Sequence, residues 1–134
     1  METALNRMPL RYFPLWLSIG WLLIASVLYA SLAPSGVPSM APHSDKAGHF
    51  LAYFALALWF SQLYNTRVRR WWAMAFIGIG VLLECLQAPI PSRIFDLVDM
   101  VANTAGVLSG WVLGSMAGAN FLARFELWLE NHRT

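Results

Sequence analysis

Charge is what this sequence has least of. Only 12% of its 134 residues are Asp, Glu, Lys or Arg, against roughly 25% in an ordinary soluble domain. A soluble domain needs a charged surface that this chain does not carry, and hydrophobic residues make up 58% of it. Composition therefore points to an integral membrane protein. Cysteine is nearly missing as well. The single Cys85 rules out an intrachain disulfide and leaves the redox compartment unread; inside its apolar run it is a small helix residue. A net charge of +2 leaves no electrostatic footprint for nucleic acid, so no such partner is expected. Internal repeats and linkers are absent, and so is any HExxH metal motif. Ser44 and Ser92 stand in ordinary loop contexts rather than in a nucleophile motif. Neither metal nor cofactor is expected.

Four apolar runs fill the chain, at residues 13–32, 47–64, 71–90 and 97–123. Each is near the roughly 20 residues that cross a hydrocarbon core as a helix. Strands are excluded, because the apolar residues do not alternate and four strands could not close a barrel. The expected fold is all-α, one domain over residues 1–134, a bundle of four transmembrane helices. Seven Trp and four Tyr suit the two interfaces. The polar tail "RFELWLENHRT" is amphipathic and suits the membrane surface. Arg7 and Arg11 followed by "SLA" at 31–33 give the first run some likeness to a signal peptide. Its length exceeds the usual 7–15 apolar residues, so a retained span is expected.

Basic residues orient the bundle. Arg7, Arg11, Arg67, Arg69, Arg70, Arg124 and Arg133 fall on one side, and Lys46 and Arg93 on the other. The excess of Lys and Arg marks the cytoplasmic side, which places both termini there. The connectors at 33–46 and 91–96 then face outward.

Polar side chains gather at that outward boundary. Asp45, His49 and Tyr53 recur every four residues and share a helix face, with Lys46 beside them. Glu84 and Gln87 close the third run, Arg93 sits in the turn "PSR", and Asp96, Asp99 and Asn103 share a face of the fourth. Three helices thus direct a polar stripe toward one region. Ionisable groups within a span cost about 2.5–3.5 kcal/mol each on insertion scales and are functional-site hypotheses by default. Each also has a structural reading. Asp45 and Asp96 are able to cap helices, Lys46 to snorkel, and Glu84 to pair with His49 or Arg93. On the fourth run Ala102, Gly106, Gly110, Gly114 and Gly118 form a small-residue ridge suited to close helix packing, within the bundle, in a homo-oligomer or with a membrane partner.

These residues resemble the VanZ-like family of small bacterial membrane proteins. The resemblance rests on Asp45-Lys46, His49-Phe50 and Tyr53, then Glu84 and Gln87, then Pro91, Arg93, Asp99, Asn103 and Gly106. It covers about residues 44–114, with Ser92 where the turn often has Gly. It implies a multi-pass protein of the bacterial cytoplasmic membrane, acting at the cell envelope, and a site rather than a reaction. The reading preferred from the residues is an outward pocket that engages a lipid headgroup or a lipid-linked cell-envelope precursor. Lys46, His49 and Arg93 would face phosphate, and Glu84 and Asp99 would hold these bases. The alternatives are a membrane enzyme using His49 as general acid or base, with a metal on His49, Glu84, Asp96 and Asp99 as a weaker variant, and a structural or assembly subunit.

Overall fold

Local sequence signals set most helix ends. In the computed structural model, which describes residues 6–33, 44–89, 95–116 and 120–132 and only the backbone of residues 44 and 45, there are five helices: α1 Phe13–Leu32, α2 Ser44–Leu63, α3 Thr66–Gln87, α4 Leu97–Ser115 and α5 Phe121–Asn131. Pro14 lies in the first turn of α1, where its missing N–H costs nothing. The helix ends at Ala33, whose backbone is extended, as expected of a residue ahead of a proline, here Pro34. Asn65 opens α3 by accepting from the Val68 N–H at 3.2 Å. Asp96 opens α4 in the same way, accepting from the Val98 N–H at 2.8 Å. No strand occurs among the described residues.

Two expected boundaries move. The basic stretch "NTRVRR" is not a turn but the start of α3, because Asn65 supplies a cap just ahead of it. The fourth apolar run is two helices rather than one, since α4 stops at Ser115 and Met116 is extended. Arg69 Nη1 donates to the Gly114 carbonyl at 3.1 Å, one of the last-turn carbonyls that have no partner within their own helix. Beyond the break, the Phe121 N–H donates to Gln62 Oε1 at 3.1 Å.

The tightest seam joins α2 and α4. A Cβ on Gly106 would run into the carbonyl oxygen of Phe50, one on Gly110 into that of Phe54, and one on Gly114 into the side chain of Ser61. Glycine at this spacing lets two backbones touch. The ridge is therefore occupied within the chain at these three positions; Gly118 lies outside the described residues. α1 packs on α2 where Gly20 faces the Phe60 and Trp59 rings, and Trp59 Nε1 donates to the Trp16 carbonyl at 3.0 Å. Phe60 packs tilted against Trp72, ring centroids 4.2 Å apart, and edge-to-face against Phe76.

The core is apolar, built on Leu56, Phe60, Leu63, Phe76 and Val107, but burial departs from that of a soluble domain in two ways. Arg69, Glu84, Gln87, Asp99, Asn103 and Glu126 are buried, while Trp21, Leu22, Leu82, Val101 and Val112 are exposed. α1 and α4 are long and apolar enough to cross a membrane by length and composition. α2 and α3, of 20 and 22 residues, have the length, but His49, Ser61 and Gln62 dilute one, and Arg67, Arg69, Arg70 and Glu84 the other.

Candidate functional site

Neighbouring helices alternate in direction, so the bundle has two polar ends. At one end lie the last turns of α1 and α3 and the first turns of α2 and α4. Here Lys46 Nζ meets Asp96 Oδ2 at 2.6 Å and Asp99 Oδ1 at 3.0 Å. The Lys46 ammonium, together with the Val98 N–H, holds the Asp96 carboxyl below the usual carboxylate range. Asp96 therefore caps α4 and pairs with α2 at once, two roles that the sequence offers as alternatives. His49 Nε2 stands 3.8 Å from Asp99 Oδ2, an ion-pair distance but too long for a hydrogen bond. The imidazole makes no hydrogen bond among the described residues.

Glu84 does not pair with His49. Its Oε1 accepts from the Asp96 N–H at 2.8 Å, so α3 supports the start of α4. Gln87 Nε2 donates to the Ser31 carbonyl at 2.7 Å, in the last turn of α1. That contact adds a fourth helix to a cluster that spacing alone assigned to three. Deeper in, Tyr53 and Asn103 flank Gly80, whose added Cβ would sit 3.3 Å from each. Both are essentially fully buried, and Tyr53 Oη and Asn103 Oδ1, like Gln62 Nε2 and Trp111 Nε1 elsewhere in the bundle, have no hydrogen-bond partner among the described residues. Such orphans are uncommon in folded proteins and call for an explanation. The side chain of Asp45, and Arg93 with Pro91 and Ser92, lie outside the described residues.

One expectation changes with this geometry. Lys46 faces two carboxylates, so it does not present an unmatched positive charge to a phosphate. The described cluster holds one ammonium and one imidazole against the carboxyl groups of Glu84, Asp96 and Asp99. Among the described residues no three His, Cys, Asp or Glu side chains converge closely enough to hold a metal ion.

Beside the cluster is a cavity of about 400 Å³ between α1 and α2, within the roughly 300–1,000 Å³ of small-molecule sites. Leu23, Val27, Ala52 and Leu56 form its walls, and Ser31, Gly48, His49 and Tyr53 border its cluster end.

The opposite end holds residues whose roles spacing did not reveal. Glu126, on α5, accepts from the backbone N–H of Arg11 at 2.8 Å, from that of Tyr12 at 2.9 Å, and from the Trp16 indole at 2.7 Å. Tyr12 has no side-chain cap of its own, so a residue more than a hundred positions away caps α1. Burial pushes the Glu126 carboxyl up, but the N–H groups of Tyr12, Trp16 and Arg11 outweigh it and hold the group below the usual range. Buried Arg69 donates to the Tyr64 carbonyl at 2.6 Å as well as to Gly114, closing the C-terminus of α4, where a cation is favoured.

Comparison with known proteins places this arrangement. A family model described as VanZ/LLP1 matches residues 8–118. An uncharacterized protein of Schizosaccharomyces pombe is 31% identical over 115 residues, covering 83% of this chain and 68% of the relative. No solved structure matches.

Proposed function

The chain belongs to the VanZ/LLP1 family, and from that premise we propose that it is a multi-pass membrane protein whose polar cluster engages a lipid headgroup or a lipid-linked cell-envelope precursor. The observation that carries the reading is the pairing of buried ionisable groups with a large apolar outer surface. Ionisable side chains from α2 and α4 meet inside the bundle at one end, while large apolar side chains such as Trp21, Leu82 and Val101 face outward. Exposed apolar surface of this extent marks a membrane or partner contact. At 1.5 Å per residue each of α1 to α4 is about 28–33 Å long, enough to span. α5 follows as an interfacial helix, with Phe121, Phe125 and Trp128 on its exposed face.

Orientation rests on the arginine asymmetry, which puts both termini in the cytoplasm and the cluster on the outer side. The resemblance to a bacterial family supports a bacterial cytoplasmic membrane, although the fission-yeast relative means that the likeness is not confined to bacteria. The surplus of carboxyl groups favours a headgroup rich in hydrogen-bond donors, such as an ammonium or a sugar hydroxyl, over a bare phosphate. His49 would be its direct contact, with Arg93 supplying any charge that a phosphate needs. A second reading, in which the cluster only fixes the helices, draws support from the double pairing of Lys46. Lipid co-purification separates the two. Wild type and Glu126→Gln should carry the same bound lipid, and His49→Ala and Arg93→Ala should lose or exchange it. Equal lipid content in all four leaves the structural reading standing.

A further inference from the structure

We infer that the groove between α1 and α2 is a site for one hydrocarbon chain of a lipid, which enters alongside the two helices and brings its polar end to His49. This rests on the headgroup reading above and adds to it where the tail lies. The shape is the first support. The groove follows residues 23–31 of α1 and 48–56 of α2, about 12 Å of helix at 1.5 Å per residue, so it runs lengthwise between the two helices, and we term it a slot. Its long walls, Leu23, Val27, Ala52 and Leu56, offer only apolar contact.

Polarity is the second support. Ser26 borders the slot, but its hydroxyl donates to the Leu22 carbonyl at 2.8 Å and asks nothing of a ligand. The groups that do are at one end. His49 makes no hydrogen bond among the described residues and stands between Asp99 and the slot. An apolar channel with one hydrogen-bonding end is complementary to a linear amphiphile, and to neither a compact polar metabolite nor a packed helix.

Gly48 is the third. It lines the slot beside His49, and a Cβ placed there meets nothing within 4 Å. Gly78 on α3 is equally open but lies outside the slot. A Cβ at Gly48 thus displaces no described atom, and a longer side chain there stands at the slot's border with room to reach into it; the same change at Gly78 is its control.

The test uses the full chain in phosphatidylethanolamine–phosphatidylglycerol vesicles containing a hexadecanol with a mid-chain diazirine. After irradiation, labelled positions are mapped by mass spectrometry. Labelling should concentrate on Leu23, Val27, Ala52 and Leu56. Gly48→Leu should reduce it about tenfold by steric exclusion, and Gly78→Leu should leave it unchanged. Labelling of the slot no denser than that of exposed Val101 and Val112 on α4, or slot labelling untouched by Gly48→Leu, overturns the proposal. The two readings fail separately. If slot labelling is retained in His49→Ala, with the same unlabelled headgroups competing as in wild type, the chain site stands and the headgroup reading falls. A headgroup preference that depends on His49, with no label in the slot, removes the chain site alone.

Discussion

The two ends of the bundle use the same kinds of side chain to different purposes. At the end formed by α5 and the start of α3, the buried charges are spent on backbone. Glu126 takes three N–H donors at the start of α1, and Arg69 gives to carbonyls of Tyr64 and α4. At the other end Glu84 and Gln87 do the same work, holding the Asp96 N–H and the Ser31 carbonyl. Subtracting these two leaves Lys46, Asp96 and Asp99 in ion pairs, His49 without a hydrogen bond, and Tyr53 and Asn103 each with an orphan atom. Helix termini must be satisfied wherever they are buried. Orphan atoms occur toward the α5 end too, at Gln62 Nε2 and Trp111 Nε1, so what sets the other end apart is the ionisable group, Lys46, His49, Asp96 and Asp99, gathered beside its orphans. The contrast narrows the site to His49, Tyr53, Asp99 and Asn103, with Lys46 and Asp96 as its frame.

The seam that both ends share should be the most sensitive place to break. Gly110→Leu drives a side chain into the Phe54 carbonyl, where backbone rather than a movable side chain is in the way. A loss of about 3 kcal/mol is expected, at the upper end of overpacking costs. Thermal unfolding in detergent, followed by circular dichroism, should show both ends failing together. Separate transitions would mean that the ends are not coupled through α2 and α4.

Next in size is the capping end alone. Glu126→Ala leaves three N–H groups without their acceptor and should cost about 2–3 kcal/mol, given about 1.5–3 kcal/mol for hydrogen bonds to a charged group. Glu126→Gln keeps an acceptor and should recover part of that. The pH dependence has a definite sign. The carboxyl is held below its ordinary value of 4.5 in the folded chain, so its contribution is complete above that value and is lost as pH falls through the lower folded one. Protection from hydrogen exchange at the first turn of α1, taken relative to the intrinsic rate at each pH, should fall on acidification below about 4.5, and in Glu126→Gln that loss should vanish. Protection that is flat with pH in wild type would remove the cap.

These two regions also differ in how far the sequence discloses them. The start of α1 at Phe13 follows from an apolar run with Pro14, and the stripe at Lys46, His49 and Tyr53 from spacing by three and four, because both signals are local and periodic. The role of Asp96 as a cap was legible for the same reason. Glu126 was not, since a glutamate in an amphipathic tail resembles any solvated one, and its partners lie at the other end of the chain. Gln87 reaching Ser31 was hidden likewise. The end of α4 was misjudged because hydropathy continues smoothly through residues 116–123, whereas the helix stops where Arg69 takes the Gly114 carbonyl. Periodicity reports faces; it does not report which backbone groups a distant side chain will claim.

The smallest expected effect sharpens the comparison most. Tyr53→Phe removes one oxygen from a residue that is 1% exposed and whose hydroxyl has no partner among the described residues. Deleting a satisfied buried hydroxyl typically costs about 1 kcal/mol, but deleting an orphan removes a desolvation penalty instead. The unfolding midpoint of the purified protein should therefore hold steady or rise slightly. If the hydroxyl serves ligand recognition, lipid retention should fall in the same variant, a loss of binding with no loss of stability. That combination separates a recognition site from a structural clamp, because a clamp loses both or neither. A midpoint lowered by several degrees would show that Tyr53 Oη has a stabilising partner and that this end is built for stability as the other is.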